Sequence, residues 1–234
     1  MKYTFRSFPL LLSALIMVIN SSCQKDSDFD FENSNLKMEV LSGESANATT
    51  NFTAPNTKGY LTINSDGSYG ARDFSQGSVP DEVDESQWKN PADTYYFKLS
   101  SNDGGTENDY DFKFSGTANA NFTVNTAKYD LYYVNQELAN VGSINQSGRI
   151  KITNGTAGYN SLTGIGNRTN PGWYIYNLRT HIMTSFSPRT YILVSKSTGD
   201  SYKIKLRSVY KEETPNADRA ANNFPFMSFD YKKF

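Results

Sequence analysis

The sequence predicts an all-β fold of many short antiparallel strands, arranged as a sandwich or barrel-like body. Aromatic residues occupy 14% of the 234 positions, with 16 Tyr and 15 Phe, and Tyr, Phe and Thr favour strands. Apolar–polar alternations recur at intervals of about 8–15 residues between Gly, Asn, Asp and Pro turns, which is the all-β pattern. Outside the N-terminal apolar run, no stretch keeps an amphipathic period for three helical turns. The aromatic content also excludes a mostly disordered chain, because disorder is aromatic-poor. The hydrophobic share of 37% lies below the roughly 45–50% of ordinary globular chains, and Asn, Ser, Thr and Gly fill the difference. A net charge of −1 provides no basic field for nucleic acid.

The chain opens with Lys2 and Arg6, followed by an apolar run from Phe8 to Ile19. That run falls short of the roughly 20 residues a membrane-spanning helix needs and fits the core of a secretory signal. It ends in Asn20-Ser21-Ser22-Cys23, which resembles a bacterial lipobox, although Asn20 stands where an aliphatic residue is usual. The resemblance implies a signal peptide over 1–22 and an acylated Cys23 as the mature N-terminus, anchoring the chain to a membrane. An exported chain whose only Cys is Cys23 forms no internal disulfide. Asp26, Asp28, Asp30 and Glu32 follow. They resemble the acidic tag of surface-displayed lipoproteins of some Gram-negative bacteria, and also read as a solvated spacer. Residues 23–57 are thus expected to form a polar, acidic tether with Leu36–Leu41 as a candidate edge strand. The expected location is the outer membrane, facing the cell surface.

Residues 58–234 are expected to form the β domain. Tyr60–Ile63 and Ser68–Gly70 flank Asn64-Ser65-Asp66-Gly67, a hairpin signal. A polar loop carries Asp81, Glu82, Asp84 and Glu85; it lacks the central Gly and closing Glu of an EF-hand, so it reads as a solvated loop. Strands are then expected at Tyr95–Leu99, Asp109–Phe114, Asn121–Val124, Tyr129–Val134 and Arg149–Ile152. Five more follow at Gly172–Tyr176, His181–Thr184, Arg189–Val194, Ser201–Val209 and Phe224–Tyr231, the last with its start at a sheet edge because of Pro225.

The residue inventory argues against an enzyme. One His, and one Cys that the lipobox resemblance makes acylated, leave no Cys/His catalysis, thiol metal site or multi-His zinc site. No Gly-x-Ser-x-Gly elbow is present. Gly164-Ile165-Gly166 lacks the third Gly and the helix of a dinucleotide loop.

The most informative stretch runs from Gly172 to Tyr210. It holds the aromatic strand Gly172-Trp173-Tyr174, the apolar strand Tyr191-Ile192-Leu193-Val194, the turn Thr198-Gly199-Asp200 and the strand Tyr202-Lys203-Ile204-Lys205-Leu206. Upstream lie Tyr95-Tyr96-Phe97, Tyr110-Asp111-Phe112-Lys113-Phe114, Gly116-Thr117 and Asn125. Together these resemble the HmuY family of bacterial haem-binding lipoproteins over about residues 94–234, with Tyr110 where the family has Trp. The resemblance implies a HmuY-like β fold, haem capture at the cell surface and delivery to a TonB-dependent outer-membrane receptor. Well-known members hold the haem iron between two His. This chain has one, and the family's ligating His aligns close to Leu178. Other members use Met, and the mature chain offers Met38, Met183 and Met227.

The resemblance makes His181 a candidate axial ligand, with Met183 the alternative; imidazole and thioether both serve haem iron. Tyr174, Tyr176 and Phe186 are candidates to stack on a porphyrin. The bland readings stand beside these: His181 as a loop histidine, Met183 and Met227 as core filler, the three aromatics as core. On a strand, His181 and Met183 would point the same way about 6.6 Å apart and could not bracket one haem; an irregular loop removes that restriction. Lys203, Lys205 and Arg207 fall on one strand face, exposed or available to haem propionates.

Two functions follow. One is a surface lipoprotein that captures haem and passes it on. The other is an adhesion or binding module on the same framework that has lost haem. The anchor is testable: Cys23→Ala is expected to move the protein from the membrane fraction to the soluble one. A variant that stays in the membrane with unchanged mass removes the anchor.

Overall fold

A computed structural model of the protein describes residues 48–78, 93–162, 165–197, 199–215 and 224–234. Cys23, the signal segment, Leu36–Leu41, Asp81–Glu85 and Thr198 lie outside the described residues. The chain is all-β. Strand β1 (Thr49–Asn51) falls within the stretch expected to be tether and pairs with β2 (Thr57–Ile63), which pairs in turn with β3 (Tyr69–Gln76). The expected hairpin joins β2 to β3. Asp66 Oδ1 accepts from Ser68 N–H and Oγ, and Gly67 supplies a φ of +74°, which costs a glycine nothing.

The next strands are β4 (Tyr95–Lys98), β5 (Asp103–Gly104), β6 (Phe112–Ser115), β7 (Asn121–Val124), β8 (Tyr129–Val134), β9 (Ile150–Ile152) and β10 (Thr156–Ala157). They are followed by β11 (Tyr159–Ser161), β12 (Tyr174–Asn177), β13 (Ile182–Ser185), β14 (Thr190–Ser195), β15 (Tyr202–Ser208) and β16 (Met227–Lys233). Three sheets result. The largest runs β1-β2-β3-β16-β15-β14-β8-β9, the second β10-β7-β6-β4-β5, and the smallest β11-β12-β13. Pairing is antiparallel except between β11 and β12, which are parallel.

The two larger sheets meet face to face as a β-sandwich, and the strand alternation explains why. Tyr95 and Phe97, Phe112 and Phe114, and Phe122 and Val124 alternate inward on β4, β6 and β7, with the residues between them half-buried. From the other sheet come Phe74, Tyr191, Phe229 and Tyr231, all essentially buried. Phe229 is the centre of the contact: its ring lies 5.1 Å from that of Phe97 at 90° and 5.4 Å from that of Phe112 at 82°. Edge-to-face packing of this kind adds about 0.5–1.5 kcal/mol per pair beyond area burial. Met227 is fully buried core.

Two sequence expectations need correction. The last strand is not at an edge: β16 sits between β3 and β15. Pro225 precedes it, so no ladder donor is lost. Nor are the three β15 cations a uniformly exposed face: Lys203 is buried, Lys205 half-buried and Arg207 exposed. Lys203 Nζ donates to Leu138 O at 2.9 Å and Val141 O at 2.6 Å, Lys205 pairs with Glu137, and Arg207 with Glu213 and Asp230. Segment 135–149 is thereby held over a second small core of Val134, Val141 and Ile192. Burial pushes the Lys203 ammonium below its usual range. These cations are committed to the protein's own groups.

Replacing Lys203 with Met orphans two carbonyl oxygens, and a buried unsatisfied acceptor costs about 1–3 kcal/mol. Lys203→Met is therefore expected to accelerate amide exchange across residues 137–146 more than in β16. Unchanged exchange there would show that Lys203 does not hold the segment.

Candidate functional site

The smallest sheet is fixed to the sandwich by a few polar residues. Trp173, 2% exposed, leads into β12, and its Nε1 donates to Ala120 O at 2.7 Å. Gly172 lies so close to β11 that a Cβ there would meet Tyr159 O at 2.1 Å, which requires glycine. Asn160 Nδ2 donates to the carbonyls of Asn167, Asn170 and Gly172, while its Oδ1 accepts from Asn167 N–H. Arg189, 2% exposed, donates to Asn135 Oδ1 and to the carbonyls of Arg168, Asn170 and Gly172. Its guanidinium lies 4.6 Å from the Tyr133 ring centre and 4.4 Å from that of Phe186. Residues 167–172 are thus clamped, and the strand they feed has a defined position.

Beside this sheet lies an open cavity of about 510 Å³, within the roughly 300–1,000 Å³ typical of small-molecule sites. Tyr159 and Leu162 line it from β11 and the loop after it, Tyr174 and Tyr176 from β12, and Leu178 and His181 from the following turn. Met183 on β13, Val209 and Tyr210 after β15, Phe224 before β16, and Thr117 and Ala118 complete it. None of these lining residues carries a fixed charge, and among the described residues no three His, Cys, Asp or Glu side chains gather as a metal site. Cross-strand register explains the grouping: Tyr159 opposes Tyr174, their rings 5.9 Å apart, and Tyr176 opposes Met183.

His181 is in the β12–β13 turn rather than on a strand. Its φ is +55°, a left-handed conformation in which His is enriched among non-glycine residues. Its N–H donates to Asn177 O at 2.7 Å, and Asn177 Oδ1 accepts from Arg179 and Thr180 N–H. The strand-alternation restriction on His181 and Met183 therefore does not apply. His181 Nδ1 and Tyr176 Oη share a hydrogen bond of 2.7 Å. Tyr210 Oη accepts from Met183 N–H at 2.9 Å, and burial pushes this phenol up to about 12. Burial also raises Tyr174.

Of the five sequence candidates, four line the cavity: Tyr174, Tyr176, His181 and Met183. Phe186 does not. It is buried under Arg189, part of the clamp behind the sheet. Sequence reasoning missed Tyr159, Leu162, Leu178, Tyr210 and Phe224. For Leu178 the one signal was the HmuY resemblance, which sets a ligating His near it; the others come from segments far apart in the chain.

A porphyrin needs an apolar slot with aromatic walls and an imidazole, thioether or phenolate for its iron, and the residues of this cavity fit that need. Comparison with family models, curated proteins and solved structures returns no match for this chain.

Proposed function

We propose that the chain is a membrane-anchored surface protein that captures a flat, mostly apolar ligand, with haem as the candidate, and passes it to a TonB-dependent receptor. The observation that carries this is the gathering of Tyr174, Tyr176, His181 and Met183 on the wall of one uncharged cavity. In that site the rings of Tyr159 and Tyr174 would flank the porphyrin, while Leu162 and Leu178, 45% and 57% exposed, cover its edges. Haem supplies an iron able to take an axial donor from the protein. For His181 to be that donor, Nδ1–H must donate to Tyr176 Oη and Nε2 must face the metal; such hydrogen bonds orient ligating imidazoles. Met183 is the alternative donor. The apolar rim would also serve transfer, since exposed apolar patches mark interaction surfaces.

A second reading is a binding or adhesion module without haem. It is favoured by Ile165, an apolar side chain 79% exposed that does not line the cavity.

Titrating the purified chain with ferric haem separates the two. Binding is expected to sharpen and shift the Soret band at micromolar haem. Leu178→Asp, on the exposed rim, is expected to weaken binding by about tenfold or more, a loss of about 1.4 kcal/mol or more. Ile150→Asp, at a 48% exposed residue on β9, should leave it unchanged. A wild-type spectrum identical to free haem removes the haem reading and leaves the second.

A further inference from the structure

We infer that the atom this site offers to ferric iron is the phenolate oxygen of Tyr176, with His181 acting as its hydrogen-bond partner instead of as the iron ligand. This assignment rests on the haem reading above and names its donor.

The geometry points to a dyad. Tyr176 Oη and His181 Nδ1 are 2.7 Å apart, and their rings meet edge-to-face, with centres 5.8 Å apart at 81°. Both side chains line the cavity. The contact is built in by the backbone. Tyr176 is fixed on β12 by its pairing with Met183 on β13, and His181 is carried back toward it by a left-handed turn closed on Asn177. His181 is the chain's one histidine, so Tyr176 is the phenol with an imidazole beside it.

The chemistry suits a chain with a single imidazole. Ferric iron is a hard acid, and anionic oxygen is a better match for it than thioether; Tyr is an established haem ligand type. A phenol becomes that ligand by losing its proton. The Oη–H bond breaks, the proton passes to Nδ1, and an Oη lone pair is released for the metal. The new Nδ1–H then donates back to the phenolate oxygen, which fixes its direction. No electron is transferred and no further reactant is needed.

The experiment is a titration of the full chain with ferric protoporphyrin IX, read by absorbance and resonance Raman. Wild type is expected to show a phenolate-to-iron charge-transfer band and tyrosinate ring modes, which need no variant to be read. Tyr176→Phe, which keeps the ring, should lose both. Tyr174→Phe should retain them. His181→Ala should keep the tyrosinate modes but bind about 10–100-fold more weakly, the usual cost of removing the partner of a metal ligand. A bound spectrum without tyrosinate modes, abolished by His181→Ala or Met183→Ala and indifferent to Tyr176→Phe, overturns this assignment and leaves haem capture standing. Absence of binding by the wild type overturns both.

Discussion

Arg189 is a buried cation with carbonyl and amide oxygens around it, and no carboxylate pairs with it among the described residues. Burial without a counter-charge is costly, and desolvation lowers the guanidinium's affinity for its proton. The arrangement persists because a planar fork can satisfy several acceptors at once, while Tyr133 and Phe186 cover its faces. What the fork holds is the stretch 167–172. That stretch has little apolar content of its own to dock it. Arg189 and Asn160 thereby fix the approach to β12, the strand that carries Tyr174 and Tyr176 into the cavity wall. The site is therefore positioned from behind, by polar groups that never touch it.

The same logic recurs on β15. Its inward residues Tyr202, Ile204 and Leu206 join the aromatic core, while Lys203 and Lys205 reach out to hold segment 135–149. In both places a long cation with a flexible stem captures backbone oxygens of a polar loop. A chain rich in Asn, Ser and Gly has long loops with few apolar anchors, and buried cations replace those anchors.

Much of the sandwich was legible in the sequence, because its signal is local. Alternation marks β4, β6, β7, β8, β14 and β15 within a residue or two or three at either end. The two-residue strands β5 and β10 carry no period at all, and β11 pairs in parallel across a twelve-residue gap to β12, which no local pattern encodes. Pro225 misled because its effect on a ladder depends on whether it lies inside the strand or before it. At the site, Tyr174, Tyr176, His181 and Met183 are neighbours in sequence and could be grouped from it. Tyr159, Tyr210 and Phe224 join them through sheet topology alone. Phe186 shares the aromatic character of the candidates Tyr174 and Tyr176, but Phe is among the side chains most often buried, and here it serves the clamp. The turn conformation of His181 depends on Asn177 closing the hairpin, a three-dimensional fact with only a weak sequence trace.

The sheet orders place the shortest strands at the margins. The large sheet ends in β1 and β9, of three residues each, although its inner strand β3 has eight. The second sheet ends in β10 and β5, of two residues each. On the free side of β13, the Met183 N–H is already given to Tyr210. A row of unpaired N–H and C=O groups is a template for edge-to-edge polymerisation, and very short or covered margins remove it. Among the described residues, margins this short give a cross-β stack little to template on.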